Sequence, residues 1–509
     1  MKKIISLALA GCITLAVGTS CGNGSGGTVD LSNIKIPEYT SDDWIDITAY
    51  AGPTTPPKGG ATDTFTQYHF DKVAEAGFTK ILALYEGNGA TGNGSAYQKI
   101  MKRSEFAEKA AVKALEYCDN INEQKAANGD KHKLKYYVRD WTFYGLDREM
   151  EKLDLEVTRE TMKTVVDTMF SKENPYIYYD SYGGNFTYDE PSYVEVEKIA
   201  WQVEFFYDAL EAAGATGEAM VNLYPAYVTG PSLSQGSDEY ITYNKYIDRY
   251  FELVAPQLGY ISYDYYPFLG NQYTGSSLKT QHLYSLEYIA TRCKQARESG
   301  NPIEMRTFIQ TVGDFTGLRS MDNIGDLRFQ IYSALAFGSR EIKYYKYIDE
   351  FESDAKSDWA LLSYMTGEYT WLYDAAKTVN TEVHAIEEVL LNFEWEGVMY
   401  NNANLMYDNQ NFANLINPAT SHPRIAKFRS TEDAALTYMK DADGNDGFML
   451  LNYTDPYFHL NNEVTLQFND AKALLMYRMG QKVIVPLNAD GSYTFKLYPG
   501  EGRFIIPLK

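Results

Sequence analysis

The order of strand and helix patterns constrains the fold of this chain more than any other feature. Between residues 44 and 347, short apolar strand patterns alternate with helical patterns. Such alternation requires parallel strands, because each helix is the crossover between two of them. The predicted strands cover residues 44–50, 79–86, 134–140, 185–190, 219–224, 260–264, 302–310 and 341–347. Eight units of this kind predict an α/β fold of the (β/α)8 TIM-barrel type.

A second region with a different pattern begins after residue 397. Short alternating runs are separated there by turn signals such as Asp443-Gly444-Asn445 and Asp490-Gly491. The predicted strands cover residues 398–405, 435–440, 447–452, 462–468, 474–479, 482–486, 492–497 and 502–507. Closely spaced strands of this kind predict a small all-β antiparallel sandwich. A helical run over 372–393 would connect the two regions. We therefore predict a barrel with its connecting helix at 41–393 and a C-terminal β-sandwich at 394–509.

The N-terminus has the pattern of a targeting segment. Lys2 and Lys3 precede an apolar stretch over residues 4–17, and small residues then precede Cys21. This order resembles a bacterial lipoprotein signal, which implies a signal peptide at 1–20 and lipidation of Cys21. Residues 21–40 would be a flexible tether. The resemblance implies an exported lipoprotein, held at the outer membrane or cell surface only by its N-terminal lipid.

Charge and aromatic content restrict the class of ligand. The formal net charge is −22, which repels phosphate backbones and anionic lipid headgroups, so nucleic-acid binding is not expected. The chain contains 44 tyrosines, whose flat faces and hydroxyl groups suit stacking against sugar rings. Most of them must nevertheless fill the core of so large a protein.

Cysteine and histidine do not form a recognisable metal-binding pattern. Cys118 and Cys293 lie in helical patterns without a neighbouring cysteine or histidine, so we expect two free buried thiols. The histidines are scattered, and none pairs with another at ligand spacing on a helix: His69, His132, His282, His384, His422 and His459. We expect no metal site and no cofactor.

The stretch from Gly184 to Ser192 is the best candidate for chemistry. It is predicted as a strand that ends in Asp189 and Glu190, followed by Pro191 at the first position of a long helix. Catalytic residues of barrels lie at the C-terminal ends of strands, so Glu190 is our candidate acid. Adjacent strand residues point to opposite faces, so Asp189 and Glu190 should not reach one substrate atom together. The alternative is that the two acids only cap the helix.

The other strand ends supply candidates for a binding rim. An acidic and aromatic rim without a phosphate-binding loop suits an uncharged polyhydroxylated ligand, which predicts a carbohydrate partner. The predicted substrate-binding residues are Glu86, Asp140, Trp141, Asp189, Tyr224, Tyr265, Tyr266, Gln310 and Tyr345. Tyr50 belongs to the same predicted rim.

These motifs also carry a resemblance to a known family. The predicted barrel, Asp189-Glu190-Pro191 and the run over residues 328–345 resemble the clan-A glycoside hydrolases, nearest to family-42-type β-galactosidase-like lipoproteins of Bacteroidota. The resemblance implies that Glu190 is the acid/base, with Asp189 where asparagine is usual. It also implies a glutamate nucleophile at the end of strand 7, where this chain has Gln310. Glu304 lies six residues earlier, about 20 Å down the strand at ~3.3 Å per residue.

A glycoside hydrolase needs a second carboxyl group beside the acid. We predict that Asp264 supplies it, with Glu86, Asp140 and Asp314 as further candidates. A separation of ~6.5–9.5 Å from Glu190 would indicate an inverting mechanism, and ~5–5.5 Å a retaining one. Gln310 favours the alternative of a non-catalytic glycan-binding surface lipoprotein. A purely structural surface protein is a third interpretation, against which the aromatic rim argues.

Overall fold

The computed structural model of this 509-residue chain describes most of the barrel and nearly all of the C-terminal region. The described residues are 34–55, 62–83, 95–228, 231–268, 281–313, 318–349, 360–401 and 419–509. The candidate residues Cys21, Glu86 and Asp314 lie outside them, as does the predicted signal peptide. No described helix is both long enough and apolar enough to span a membrane.

Eight parallel strands form the barrel, and each lies within a few residues of its predicted position. They are β1 Asp46–Tyr50, β2 Lys80–Leu82, β3 Lys135–Val138, β4 Tyr182–Asp189, β5 Glu218–Asn222, β6 Tyr260–Tyr263, β7 Glu304–Gln310 and β8 Ser339–Tyr345. The hydrogen-bonded order runs β5-β4-β3-β2-β1-β8-β7-β6. A parallel bridge between Leu223 and Tyr263 closes the circle between β5 and β6. The predicted (β/α)8 fold is therefore confirmed.

Helices surround the strands and bury their apolar faces against them. The described helices of the barrel are α1 Gln67–Glu75, α2 Ala96–Ala127, α3 Leu146–Lys152, α4 Arg159–Met169, α5 Glu195–Ala213, α6 Tyr243–Leu253, α7 Ala255–Leu258, α8 Leu283–Glu298 and α9 Ile324–Ala336. The connecting run is split into α10 Trp371–His384 and α11 Glu387–Leu390. Cys118 and Cys293 are free thiols, the first buried and the second partly exposed.

The start of α5 differs from the prediction. Pro191 is not its first residue, because the helix begins at Glu195. The Glu195 carboxylate accepts the backbone N–H of Ser192 at 2.7 Å, which satisfies a donor ahead of the helix. Glu190 therefore lies in the loop between β4 and α5, and capping of α5 does not account for it.

Two antiparallel sheets form the C-terminal region, which confirms the predicted sandwich. The strands are β11 Glu394–Asn401, β12 Ile425–Ser430, β13 Ala434–Lys440, β14 Asp446–Asn452, β15 Asn462–Phe468, β16 Ala473–Arg478, β17 Gln481–Pro486, β18 Ser492–Leu497 and β19 Gly502–Leu508. The larger sheet has the order β11-β13-β14-β19-β16-β17 and the smaller one β12-β15-β18. The prediction missed β12. Two short strands, β9 Ile348–Asp349 and β10 Leu362–Ser363, form a separate pair after the barrel.

The larger sheet is buried on both faces. Along β14, Phe448 and Leu450 belong to the core between the two sheets, whereas Met449 and Leu451 belong to the core of the barrel. Alternate residues of a strand point to opposite faces, so one strand serves both cores. His282 Nδ1 also lies 2.9 Å from the Tyr453 hydroxyl across this boundary. The barrel and the sandwich thus pack as one unit.

Substitution of two glycines by alanine tests how closely strands β4 and β5 approach each other. Gly184 (φ +144°) and Gly214 (φ +74°) both have backbone angles that disfavour a side chain. A Cβ atom at Gly184 would overlap the backbone of Glu218 on β5, whereas one at Gly214 meets no atom within 4 Å. We expect Gly214→Ala to lower the free energy of unfolding by about 1 kcal/mol. Gly184→Ala should lower the free energy of unfolding by about 3 kcal/mol or more.

Urea denaturation of the two variants beside the parent protein measures the difference. Equal losses of stability in Gly184→Ala and Gly214→Ala would contradict the close contact between β4 and β5.

Candidate functional site

Carboxyl groups from two strands meet at the C-terminal end of the barrel. Asp189 is the last residue of β4, Glu190 follows it, and Asp264 follows the end of β6. Asn222, the last residue of β5, lies between them. Its Nδ2 donates to Asp189 Oδ1 at 3.1 Å and to Asp264 Oδ1 at 2.5 Å. One amide group therefore holds two carboxylates together.

Hydrogen bonds in the barrel interior fix the orientation of the Asn222 amide. Ser262 Oγ donates to Asn222 Oδ1 at 3.0 Å, and Lys343 Nζ donates to Ser262 Oγ at 3.0 Å. Lys343 is fully buried inside the barrel, and burial lowers its pKa to about 8 although the Glu341 charge opposes this shift. Because Lys343 can only donate, Ser262 must turn its hydroxyl hydrogen to Asn222. The amide N–H groups then face the carboxylates.

The backbone at Glu190 departs from the strand that precedes it. Its φ is +50°, in the left-handed region, and its N–H donates to the Asn222 carbonyl at 2.9 Å. This conformation ends the alternation of side chains along β4. Glu190 therefore does not follow the strand geometry from which opposite directions were expected for Asp189 and Glu190. The charges of both Asp189 and Asp264 act on the Glu190 carboxyl and raise its pKa.

Glu190 and Asp264 have different surroundings. Burial raises the pKa of Glu190 far above its usual range, the nearby Asp264 and Asp189 charges raise it further, and no described residue donates a hydrogen bond to its carboxyl group. Burial and the Asp189 charge also raise the pKa of Asp264, to about 8, although hydrogen bonds from Asn222 and Tyr266 oppose that rise. These two donors favour the ionised form of Asp264 and have no counterpart at the Glu190 carboxyl group among the described residues.

Tyrosines surround the carboxyl groups. The Tyr266 hydroxyl donates to Asp264 Oδ2 at 3.0 Å, and its ring stacks on Tyr345 with centroids 5.2 Å apart. The Tyr345 ring is 5.3 Å from that of Tyr50. Tyr224 is half-buried, and burial together with the Glu190 charge raises its pKa. The structure thus brings these predicted rim residues together with the acids.

A buried arginine completes the site, and the sequence analysis did not identify it. Arg139 follows β3, and its Nη1 donates to the Tyr50 hydroxyl at 3.1 Å. Its guanidinium carbon lies 4.5 Å from the ring centroids of both Trp141 and Tyr144. Burial raises the pKa of Asp189, and the Arg139 charge opposes that rise. An arginine close to aromatic residues at the end of a predicted barrel strand was the sequence signal that could have identified Arg139.

Two predicted rim residues point away from the carboxyl groups. Asp140 is buried, and its Oδ1 accepts the N–H of Thr142 at 2.8 Å, so it shapes the turn after β3. The Tyr265 ring packs on His282, with centroids 4.9 Å apart, on the side that faces the sandwich. Asp140 directly precedes Trp141, and Tyr265 directly precedes Tyr266. The side chains of Asp140 and Tyr265 point in other directions than those two neighbours.

Gln310 at the end of β7 holds loops in place. It is fully buried, its Nε2 donates to the carbonyls of Val312 and Arg319 at 2.9 and 2.8 Å, and its Oε1 accepts the N–H of Phe268 at 3.1 Å. These bonds use both ends of the amide, which is therefore not offered to a ligand. Glu304 lies at the opposite end of the strand and is exposed.

Comparisons with known proteins place this chain beside glycoside hydrolases of low similarity. No protein-family model and no curated protein matches it. A solved structure described as a glycoside hydrolase has 8% identity and a TM-score of 0.48, covering 91% of this chain and 93% of that one. A family 5 glycoside hydrolase from Bacteroides vulgatus has 10% identity and a TM-score of 0.46, covering 93% and 89%.

An α-L-arabinofuranosidase from Thermotoga maritima has 10% identity and a TM-score of 0.40, covering 92% of this chain and 96% of that one. Values as low as these do not indicate a function for this chain.

The raised pKa of Glu190 predicts how stability depends on pH. A carboxyl group whose pKa is higher in the folded state binds more protons there than in the unfolded chain, so its contribution to stability falls as pH rises between the two pKa values. Glu190→Gln removes the ionisable carboxyl group and therefore removes this fall in stability with rising pH. We expect the variant to gain about 1 kcal/mol or more over the parent between pH 5 and pH 8.

Thermal or urea unfolding at several pH values measures this gain. Glu197→Gln, on the exposed face of α5, is the matched control. If the two variants differ from the parent by the same amount at every pH, Glu190 is not protonated in the folded protein at neutral pH.

Proposed function

We propose that this protein is a glycoside hydrolase acting on a poly- or oligosaccharide at the C-terminal face of the barrel. The observation that supports this most is the contrast between two neighbouring carboxyl groups. Burial raises the pKa of both groups, to about 9 for Glu190 and about 8 for Asp264, but among the described residues only Asp264 has two hydrogen-bond donors that stabilise its ionised form. Glycoside hydrolysis requires one carboxyl group of each kind.

The two groups have complementary roles in bond cleavage. Glu190 donates its proton to the glycosidic oxygen, so that the leaving sugar departs as a neutral alcohol. Asp264 either attacks the anomeric carbon or takes a proton from the water that attacks it. The hydrogen bonds from Asn222 and Tyr266 hold Asp264 in one orientation for this step. The product is a reducing sugar in both cases.

The aromatic residues around the acids would bind the sugar. Tyr224, Tyr266 and Tyr345 offer flat faces that can cover the C–H face of a pyranose ring. Trp141 is partly exposed, so its ring can contribute a further apolar surface for the sugar. The Asp189 carboxylate can accept hydrogen bonds from sugar hydroxyl groups.

We also propose that the protein is an exported lipoprotein anchored through Cys21 at the outer membrane or cell surface. The charged, apolar and small residues at the N-terminus support this location. The family-42-type β-galactosidase-like assignment is part of the same proposal, and it rests on Asp189-Glu190-Pro191. A surface anchor would suit an enzyme that degrades polysaccharides outside the cell.

A non-catalytic glycan-binding protein is the second candidate. Gln310 supports it, because the end of β7 carries a loop-holding amide instead of a carboxylate. A protein of this kind would use the same aromatic residues and would not need Glu190 to transfer a proton.

Replacement of the proposed acid tests the enzyme directly. Glu190→Gln keeps the size of the side chain and removes its transferable proton, so kcat should fall at least ~100-fold. Reducing-sugar release from plant and host polysaccharides measures the rate, and a product NMR spectrum assigns the anomeric configuration. Glu197→Gln should retain full activity. Unchanged hydrolysis by Glu190→Gln would exclude Glu190 as the acid.

Replacement of an aromatic residue tests sugar binding in both candidate functions. Trp141→Ala should weaken affinity for the active polysaccharide about tenfold or more, because it removes an aromatic surface that can pack on a sugar ring. Tyr178→Ala, an exposed ring that precedes β4 at the other end of the barrel, is the control. Affinity gel electrophoresis measures both variants. Equal affinity of Trp141→Ala and the parent would remove Trp141 from the site.

A further inference from the structure

A cluster of two histidines and a glutamate lies at the opposite end of the barrel from Glu190. His132 precedes β3, His384 is the last residue of α10, and Glu387 is the first residue of α11. One ring nitrogen of each histidine and a carboxylate oxygen of Glu387 all lie within 4.8 Å of one another. Glu387 is buried, and the two imidazoles are partly exposed.

Every ring nitrogen of the cluster faces a hydrogen-bond acceptor. His132 Nε2 lies 2.7 Å from Glu387 Oε1, and its Nδ1 lies 2.8 Å from Asp130 Oδ1. His384 Nδ1 lies 2.8 Å from Glu387 Oε2, and its Nε2 lies 2.8 Å from the Gly77 carbonyl oxygen. Two neutral imidazoles have only two N–H groups for these four acceptors. The arrangement therefore requires two additional protons or one divalent cation.

We propose that His132 Nε2, His384 Nδ1 and the Glu387 carboxylate bind one zinc ion. The outer nitrogens then keep their N–H groups and donate to Asp130 and to the Gly77 carbonyl. Metal-binding histidines commonly donate their second N–H to a carboxylate or a backbone carbonyl in this way. Zinc bonds of about 2.0–2.2 Å place two ligands of a tetrahedral ion ~3.4 Å apart. His132 Nε2 and Glu387 Oε1 are 2.7 Å apart and the ligand atoms lie within 4.8 Å of one another, so small side-chain shifts would admit the ion.

The geometry of the two rings favours a cation over two protons. Their centroids are 4.2 Å apart. Two imidazolium rings at this distance would repel each other, whereas a single ion between two neutral rings attracts both. The Glu387 carboxylate is also held in place, because its Oε2 accepts the N–H of Ile45 at 3.2 Å.

One positive charge lies near the proposed site. Lys131 Nζ is 3.7 Å from Glu387 Oε1, and its side chain is one-third exposed. It donates to the carbonyls of Ser41 and Asp43 at 3.1 and 3.2 Å, and these bonds hold it outside the three ligand atoms. The partly exposed imidazoles leave room for water as a fourth ligand.

The ligands join two parts of the chain that are distant in sequence. His132 belongs to the barrel, while His384 and Glu387 belong to the run that leads to the sandwich. The ion would fasten α10 and α11 to the barrel at the ends where β1, β2 and β3 begin. Its role would be structural and independent of the carboxyl groups at the other end.

Zinc titration of the intact protein tests the proposal. The protein is prepared without a histidine tag, stripped with a chelator, and titrated with Zn²⁺ against a chromogenic chelator at pH 7.5. We expect one ion per chain and a midpoint of thermal unfolding that rises by several degrees when zinc is added. Co²⁺ should give the absorption spectrum of a tetrahedral site. Binding of less than one ion, without stabilisation, would overturn the proposal, and this result needs no variant.

Two variants assign the ligands. His132→Gln and His384→Gln keep a hydrogen-bonding side chain and remove the imidazole, so each should weaken zinc binding at least ~100-fold. His459→Gln, an exposed histidine of the sandwich, should bind zinc like the parent. Near-ultraviolet circular dichroism confirms that the variants are folded. Equal zinc affinity of the His132→Gln and His459→Gln proteins would show that the ion binds elsewhere.

Discussion

Buried charges inside the barrel are the constraint on which the rest of this structure depends. Lys80 on β2, Glu218 on β5, Arg306 on β7 and Glu341 on β8 all project into its interior. Lys80 Nζ lies 3.1 Å from Glu341 Oε2, Arg306 Nη1 lies 3.3 Å from the same oxygen, and Arg306 also pairs with Glu218. A buried charge is costly unless it is paired, so these four strands must keep their register.

The same network extends upward to the candidate site. Lys343 lies two residues after Glu341 on β8 and therefore on the same inner face. It donates to Ser262, which donates to Asn222, which donates to Asp189 and Asp264. A chain of hydrogen bonds thus runs from charges in the barrel interior to the carboxyl groups at its mouth. The fold and the candidate site of this protein share one set of polar contacts.

The architecture could be predicted from the sequence because it depends on repeated patterns. All eight barrel strands and most strands of the sandwich follow apolar periodicity, which does not require knowledge of distant contacts. β12 was missed, because only its first residue is fully buried and the run has no clear alternation. The start of α5 was missed because it depends on one hydrogen bond, from Ser192 to Glu195.

The site could be predicted only in part. Strand ends identified Glu190, Asp264 and Tyr266, but the same rule included Gln310, whose direction depends on loops that follow it. The left-handed backbone of Glu190 could not be predicted, because a glutamate, unlike a glycine, gives no sequence signal for a positive φ. Asn222 and Lys343 look like ordinary polar residues within strands, and their role appears only when three strands meet. His132 and His384 are too far apart in the chain for spacing to relate them.

The double-sided burial of the larger sheet has a consequence for how such chains can be built. Met449 and Leu451 of β14 complete the core of the barrel, and Trp395 of β11 stacks on Phe337 just after α9. A chain that ended at residue 393 would expose to solvent the apolar surfaces of α8 and α9 that the sandwich covers. The two halves are therefore not interchangeable modules, and either one could be swapped for another only together with the surface it covers.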